Sequence, residues 1–312
     1  MSKALTNLDP REYEHPFDRM ALDALQKTPG VDKLVAKLNA YSVDRLLRVR
    51  CTGSFLRVTP RNFPDVFQAF EAVCETLNLS DTPELYLQWD YSVNGFTGGV
   101  ERPIVVLTSG AIDLLEDGEL LYLIGHEVGH IKSGHVLYHQ MAEILPGLGQ
   151  LIGAATLGLG QLVSMGVQLA LLNWHRMSEF TADRAGLLAC QDVDAATKAL
   201  MKMAGLPKRC YGSAVEEEFI RQARDFEGPD FDSLDKVAKI VSIAGATHPW
   251  TVMRASEFYK WIESGEYAQV LSREAKSGTA AQASATGFCM ECGSKLAGHE
   301  KFCTEGGHQV MG

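Results

Sequence analysis

Three features of the 312-residue chain predict an α+β fold that is mainly helical and carries one small β-sheet. Apolar residues recur at helical spacing in several long runs. Two short segments of strand character, residues 84–89 and 103–107, flank a glycine-rich stretch. Three cysteines at the C-terminus follow a run of small residues and mark off a small separate module. The expected organisation is a helical scaffold over residues 1–80 packed on a main domain over 81–263, a flexible linker over 264–286, and the small module over 287–312.

Within residues 1–80, Pro16-Phe17-Asp18 can open one helix, and Val31, Leu34, Val35 and Leu38 mark a second. Val66, Phe67, Phe70, Val73 and Leu77 mark a third, with residues 55–58 between them as a short strand. This region shows no chemistry and reads as packing scaffold. Residues 93–99 (VNGFTGG) lie between the two later strands, where a chain reversal or a close backbone approach is expected. Two readings stand for this segment: an ordinary hairpin, or a strand edge that pairs with an extended peptide. Residues 111–115 form a short helix, and a further helix runs over 119–135.

That last helix contains Gly125-His126-Glu127-Val128-Gly129-His130. Residues i and i+4 share a helix face, so His126 and His130 can bind one metal ion, with Glu127 beside them to reach a metal-bound water. His-Glu-x-x-His is the zinc-protease pattern of two imidazole ligands and a carboxylate base. His135 and His139 repeat the i, i+4 spacing and read as a solvated surface pair.

Residues 144–174 contain no charged side chain. The stretch exceeds the roughly 20 residues one membrane crossing needs and falls short of two. A single crossing would separate the metal-binding helix from residues downstream that must join it. Pro146 and six glycines interrupt it, and Gln161, Ser164, Gln168 and His175 form a polar stripe, so it reads as buried or oligomer-facing helix. A shallow membrane contact is the rival reading. Next come Glu179 and Asp183, again four apart. Glu179 can supply the third ligand and leave the fourth position for water, while Asp183 can accept the free ring N–H of a ligand histidine.

GHEVGH, the long apolar segment, SEFTADRAG and then Thr247-His248-Pro249 with Arg254 together resemble peptidase family M48, the gluzincins related to the CaaX prenyl protease and HtpX. Residues 94–99 followed by PIVVLTSG resemble that family's approach to its active site, with Gly95 where the family usually has Ala. The resemblance spans about Leu85 to Trp261 and implies a gluzincin-type zinc endopeptidase. By residue, it implies His126, His130 and Glu179 as zinc ligands, Glu127 as the base, and Asp183 as the group orienting a ligand. It places His248 near the cleft as a candidate oxyanion donor and Arg254 as a tie between carboxylates. Asn94, Gly95 and Phe96 are the expected substrate-binding segment. The rivals are a catalytically silent protease-fold scaffold and a membrane-peripheral quality-control protease.

At the C-terminus, Cys289, Cys292 and Cys303 have zinc-ribbon spacing, but Gly306 stands where the fourth cysteine belongs. Either His308 (or His299) substitutes and a structural zinc binds, or the ribbon is degenerate. A fold of this size needs metal to hold together, and its expected role is contact with a protein partner or substrate. The net charge of −10 argues against nucleic acid as a partner, leaving protein or peptide substrates. Seven cysteines and no apolar leader in the first twenty residues predict a reducing, cytoplasmic setting, with peripheral membrane contact open.

Overall fold

The computed structural model describes residues 2–28, 31, 43–142, 159–226 and 250–272. The helix expected over 31–38, His248, the 287–312 module with Cys289, Cys292, Cys303 and His308, and residues 144–158 of the apolar stretch lie outside all or most of these. Among the described residues, helices are α1 (Pro16–Gln26), α2 (Val43–Ser54), α3 (Pro64–Thr76), α4 (Ser109–Leu114), α5 (Asp117–Lys132), α6 (Leu159–Cys190), α7 (Val193–Met203), α8 (Ser213–Asp225), α9 (Thr251–Glu263) and α10 (Glu266–Ser272). Residues 136–142 are also helical.

Strands β1 (Leu56–Arg57), β2 (Glu84–Gln88), β3 (Gly95–Gly98) and β4 (Ile104–Thr108) form one sheet in the order β1-β2-β4-β3. β2 and β4 run parallel, with Tyr86 opposite Val106, and both carry fully buried apolar positions. β3 pairs antiparallel with β4 and ends the sheet. Of the readings open for the glycine-rich segment, the strand edge with close backbone approach is the one observed, and the chain reversal is not. The reason is space: a Cβ at Gly98 would come within 2.5 Å of Leu47 Cδ2, and one at Gly95 within 3.1 Å of Glu127.

α5 and α6 cross at the centre. Glycine inside a helix costs about 1 kcal/mol relative to alanine, so two of them four apart need a reason. Cβ atoms at Gly125 and Gly129 would lie 2.3 Å and 2.5 Å from the Cβ atoms of Ala189 and Ala185. Across the contact, a Cβ at Gly186 would lie 2.8 Å from the Tyr122 carbonyl oxygen. Small residues on both helices let the backbones approach, and this proximity brings the acidic residues of α6 against the histidines of α5. A Gly125→Val substitution is expected to force the helices apart, costing about 3 kcal/mol or more through overpacking. Urea unfolding of the metal-free protein measures this; an unchanged midpoint would refute the close-packing account.

α5 starts at a reciprocal cap in which Glu119 accepts from the Glu116 N–H at 2.7 Å. It ends at Lys132, not at residue 135, because Gly134 takes the left-handed conformation at φ 72°. The 32-residue α6 carries both the end of the charge-free stretch and the Glu179/Asp183 segment. Val167, Leu171 and Trp174 on it are buried against Ala21 and Leu25 of α1, whereas Leu169 is 55% exposed. No helix among the described residues is long and apolar enough to cross a membrane.

The N-terminal region shares one core with the rest: Leu5, Leu8, Tyr13, Phe70 and Val73 pack in the same cluster as Leu123, Val128 and Leu188. The first residues of the linker expected over 264–286 are instead helix, since α10 packs Tyr267 and Val270 into that core, and residues 273–286 lie outside the described residues. An apolar pair about one helical turn apart, Tyr267 and Val270, outweighs its polar composition.

Candidate metal centre

His126, Glu127 and His130 lie on α5 and are 3%, 4% and 3% exposed. From α6, Glu179 projects between the two imidazoles. His126 Nε2 and His130 Nε2 stand 3.2 Å apart. Glu179 Oε2 is 3.5 Å from His126 Nε2 and Glu179 Oε1 is 3.4 Å from His130 Nε2. Zinc with bonds of 2.0–2.1 Å to tetrahedral ligands sets those ligands about 3.3 Å apart. The three spacings fit that figure, so the residues present can hold the metal. The two imidazoles differ electrostatically: against the effect of burial, Asp183 and Glu179 push the His126 pKa up to about 9, whereas burial pulls His130 down to about 3 despite Glu179.

Asp183 lies one turn beyond Glu179 and is 1% exposed. His126 Nδ1 is 3.0 Å from Asp183 Oδ1, so a ring that presents Nε2 to a metal can donate its other N–H to this carboxylate. Tyr122 also donates to Asp183 Oδ1 at 2.8 Å. Arg254 of α9 grips Asp183 with two nitrogens, at 2.9 Å and 2.5 Å, and its third nitrogen is 3.8 Å from Glu179 Oε2. Burial alone would raise the Asp183 pKa; Arg254 and His126 instead hold it at about 2, and the carboxylate stays charged.

Glu127 faces the sheet edge. Thr97 donates to Glu127 Oε2 at 2.8 Å, and Gly95 leaves room for the side chain. Burial pushes the Glu127 carboxyl up to about 7, against the opposing pull of His126 and the Thr97 hydrogen bond.

Sequence reading thus placed six described residues at one locus: His126, Glu127, His130, Glu179, Asp183 and Arg254. Of the expected substrate segment, Gly95 does lie against Glu127. Phe96 turns the other way, into a cluster with Cys51, Tyr86, Ile104 and Val106, as strand alternation demands. Asn94 has its backbone tied to Thr108, whose hydroxyl donates to the Asn94 carbonyl at 2.9 Å. Tyr122 and Thr97 went unread, although Tyr122 stands four residues before His126 on the same helix face. His135 and His139 are buried at 3% and 8% exposure and are not the solvated pair their spacing suggested. The turn at Gly134 carries them back over the centre instead of outward along α5.

Residues 60–262 match the model for peptidase family M48. The chain belongs to peptidase family M48. It is accordingly a metallopeptidase, and the histidine–carboxylate cluster sits within the matched span. A plastoglobule-localized metallopeptidase 48, chloroplastic, from Arabidopsis thaliana is 28% identical over 276 residues, covering 88% of this chain and 78% of that protein. A protease HtpX homolog from Dictyoglomus thermophilum is 33% identical over 97 residues, 30% of this chain and 32% of that one. Another HtpX homolog, from Persephonella marina, is 27% identical over 147 residues and is half covered, at 50%. No solved structure matches the chain.

Proposed function

We propose that this M48 peptidase is a zinc endopeptidase whose metal is held by His126, His130 and Glu179 and whose general base is Glu127. The observation that carries the reading is the set of ligand-atom separations of 3.2, 3.4 and 3.5 Å in a buried pocket. When bound, zinc supplies a Lewis acid that acidifies water and polarises the scissile carbonyl. Glu127 takes the proton of the attacking water and hands it to the leaving amine nitrogen. Thr97 aims the Glu127 carboxylate while Asp183, held by Arg254 and Tyr122, fixes the His126 tautomer. An extended peptide adds to the edge of β3 through main-chain hydrogen bonds, with the Gly95 backbone closest to Glu127. His248 as an oxyanion donor, and a structural zinc on Cys289, Cys292, Cys303 and His308, rest on sequence alone.

Buried Glu127 beside the ligand set favours turnover over a silent scaffold. The free thiols at Cys51, Cys74, Cys190 and Cys210 suit the reducing compartment we infer. Incubating the full chain with unfolded casein before and after zinc stripping tests the proposal. Cleavage should cease on stripping and return with zinc; cleavage indifferent to chelation would sink it.

A further inference from the structure

The centre is backed by a second group of buried histidines that the chemistry above does not use. His139 and His175 stack with ring centroids 3.8 Å apart and 9° between their planes. Lone pairs of parallel rings run side by side and do not meet at a point, and His139 Nε2 is already 2.9 Å from Ser178 Oγ. That pair is a packing contact. His135 is placed differently: its Nδ1 lies 3.0 Å from Nδ1 of His130, and its Nε2 lies 3.1 Å from Asp18 Oδ2.

We propose that His135 and Asp18 are positioning residues for His130, forming a His130–His135–Asp18 relay that anchors the metal centre to the N-terminal helix. This rests on the assignment of His130 as a ligand. With Nε2 of His130 turned to Glu179, its proton belongs on Nδ1 and needs an acceptor there. The neighbouring atom is His135 Nδ1, and two such nitrogens can bond only if one lacks a proton. His135 therefore carries its proton on Nε2 and donates it to Asp18. Asp18, 1% exposed, also accepts from the Thr181 hydroxyl at 2.6 Å. The same Thr181 oxygen accepts the His15 N–H at 3.0 Å, tying the start of α1 to the α6 turn between Glu179 and Asp183.

The local backbone explains how His135 reaches this position. The His135 N–H bonds the His130 carbonyl at 2.9 Å and the Gly134 N–H bonds that of Ile131 at 3.1 Å, the paired bonds of a Schellman turn. The turn folds residue 135 back beneath the ligand it follows. His126 thus leans on a carboxylate directly, whereas His130 leans on one through an intervening imidazole. Asp18 lies outside residues 60–262, so a residue beyond the matched span completes the support of the metal.

The test uses the full chain, with zinc affinity read by competition against a chromophoric chelator and folding read by thermal melting of the zinc-free form. His135→Leu should bind zinc roughly 10–100-fold more weakly. His135→Asn sets an amide oxygen where Nδ1 stood and should recover most of that loss. Asp18→Asn should weaken zinc binding in the parent but add little in the His135→Asn background, because the link between the two positions is already cut. The relay is overturned if His135→Leu holds zinc like the parent, or if His135→Asn loses as much as His135→Leu. If the parent itself binds zinc no better than His126→Ala, the metal centre falls, and the relay with it.

Discussion

Glu127→Gln is expected to keep zinc at the parent's affinity and to lower peptide hydrolysis by about 10²–10⁴-fold, the span a general base contributes. Glu127 is no ligand in the proposed set, and Gln is nearly isosteric, so the Thr97 hydroxyl can still donate to the amide oxygen in place of Glu127 Oε2. What disappears is the oxygen proposed to take a proton from water. Buried at 4% exposure, the site offers few other acceptors. His126 and His130, the proposed ligands, have their ring nitrogens committed, and the Asp183 carboxylate is occupied by Tyr122, His126 and Arg254. Zinc content by metal analysis and casein cleavage separate the outcomes. Cleavage within a few fold of the parent by a zinc-loaded Gln variant would show that another group is the base.

Helix periodicity made the core of this site legible. Once residues 119–130 are read as helix, His126 and His130 must share a face, and the same holds for Glu179 and Asp183. That the two helices meet followed from zinc's need for a third ligand, which Glu179 could supply, and from the resemblance, not from periodicity within either segment. The physical sign of the meeting was nonetheless present, as Gly125 and Gly129 face Ala182, Ala185 and Gly186 across the crossing.

The failures have equally local causes. A helical run of apolar residues continues past Lys132, but a single left-handed Gly134 overrides it and turns two apparently exposed histidines inward. Glycines at 95 and 98 left a chain reversal and a close backbone approach both open, because composition does not distinguish conformational freedom from want of space; the folded chain shows want of space. Asp18 gave no signal at all: one carboxylate in a helix's first turn commonly serves the helix dipole, and only the folded chain shows it facing His135.

The contribution of Arg254 is best exposed by Arg254→Met. Arg254 is 3% exposed and lies between two carboxylates, Asp183 and Glu179, each 1% exposed. Removing one partner of a buried ion pair leaves the other without compensation, which costs about 3–5 kcal/mol. Methionine fills similar volume, so the loss registers charge and hydrogen bonds, not a cavity. Arg254→Lys restores the charge without the planar fork that reaches both Asp183 oxygens, and its stability should fall between the two. The metal-free form should suffer most from Arg254→Met, because zinc in the proposed site would itself supply positive charge beside Glu179. Urea midpoints for parent and both variants, with and without zinc, measure the ordering. If Arg254→Met unfolds within about 1 kcal/mol of the parent in the metal-free state, below the range for a broken buried pair, Arg254 does not hold these carboxylates in place.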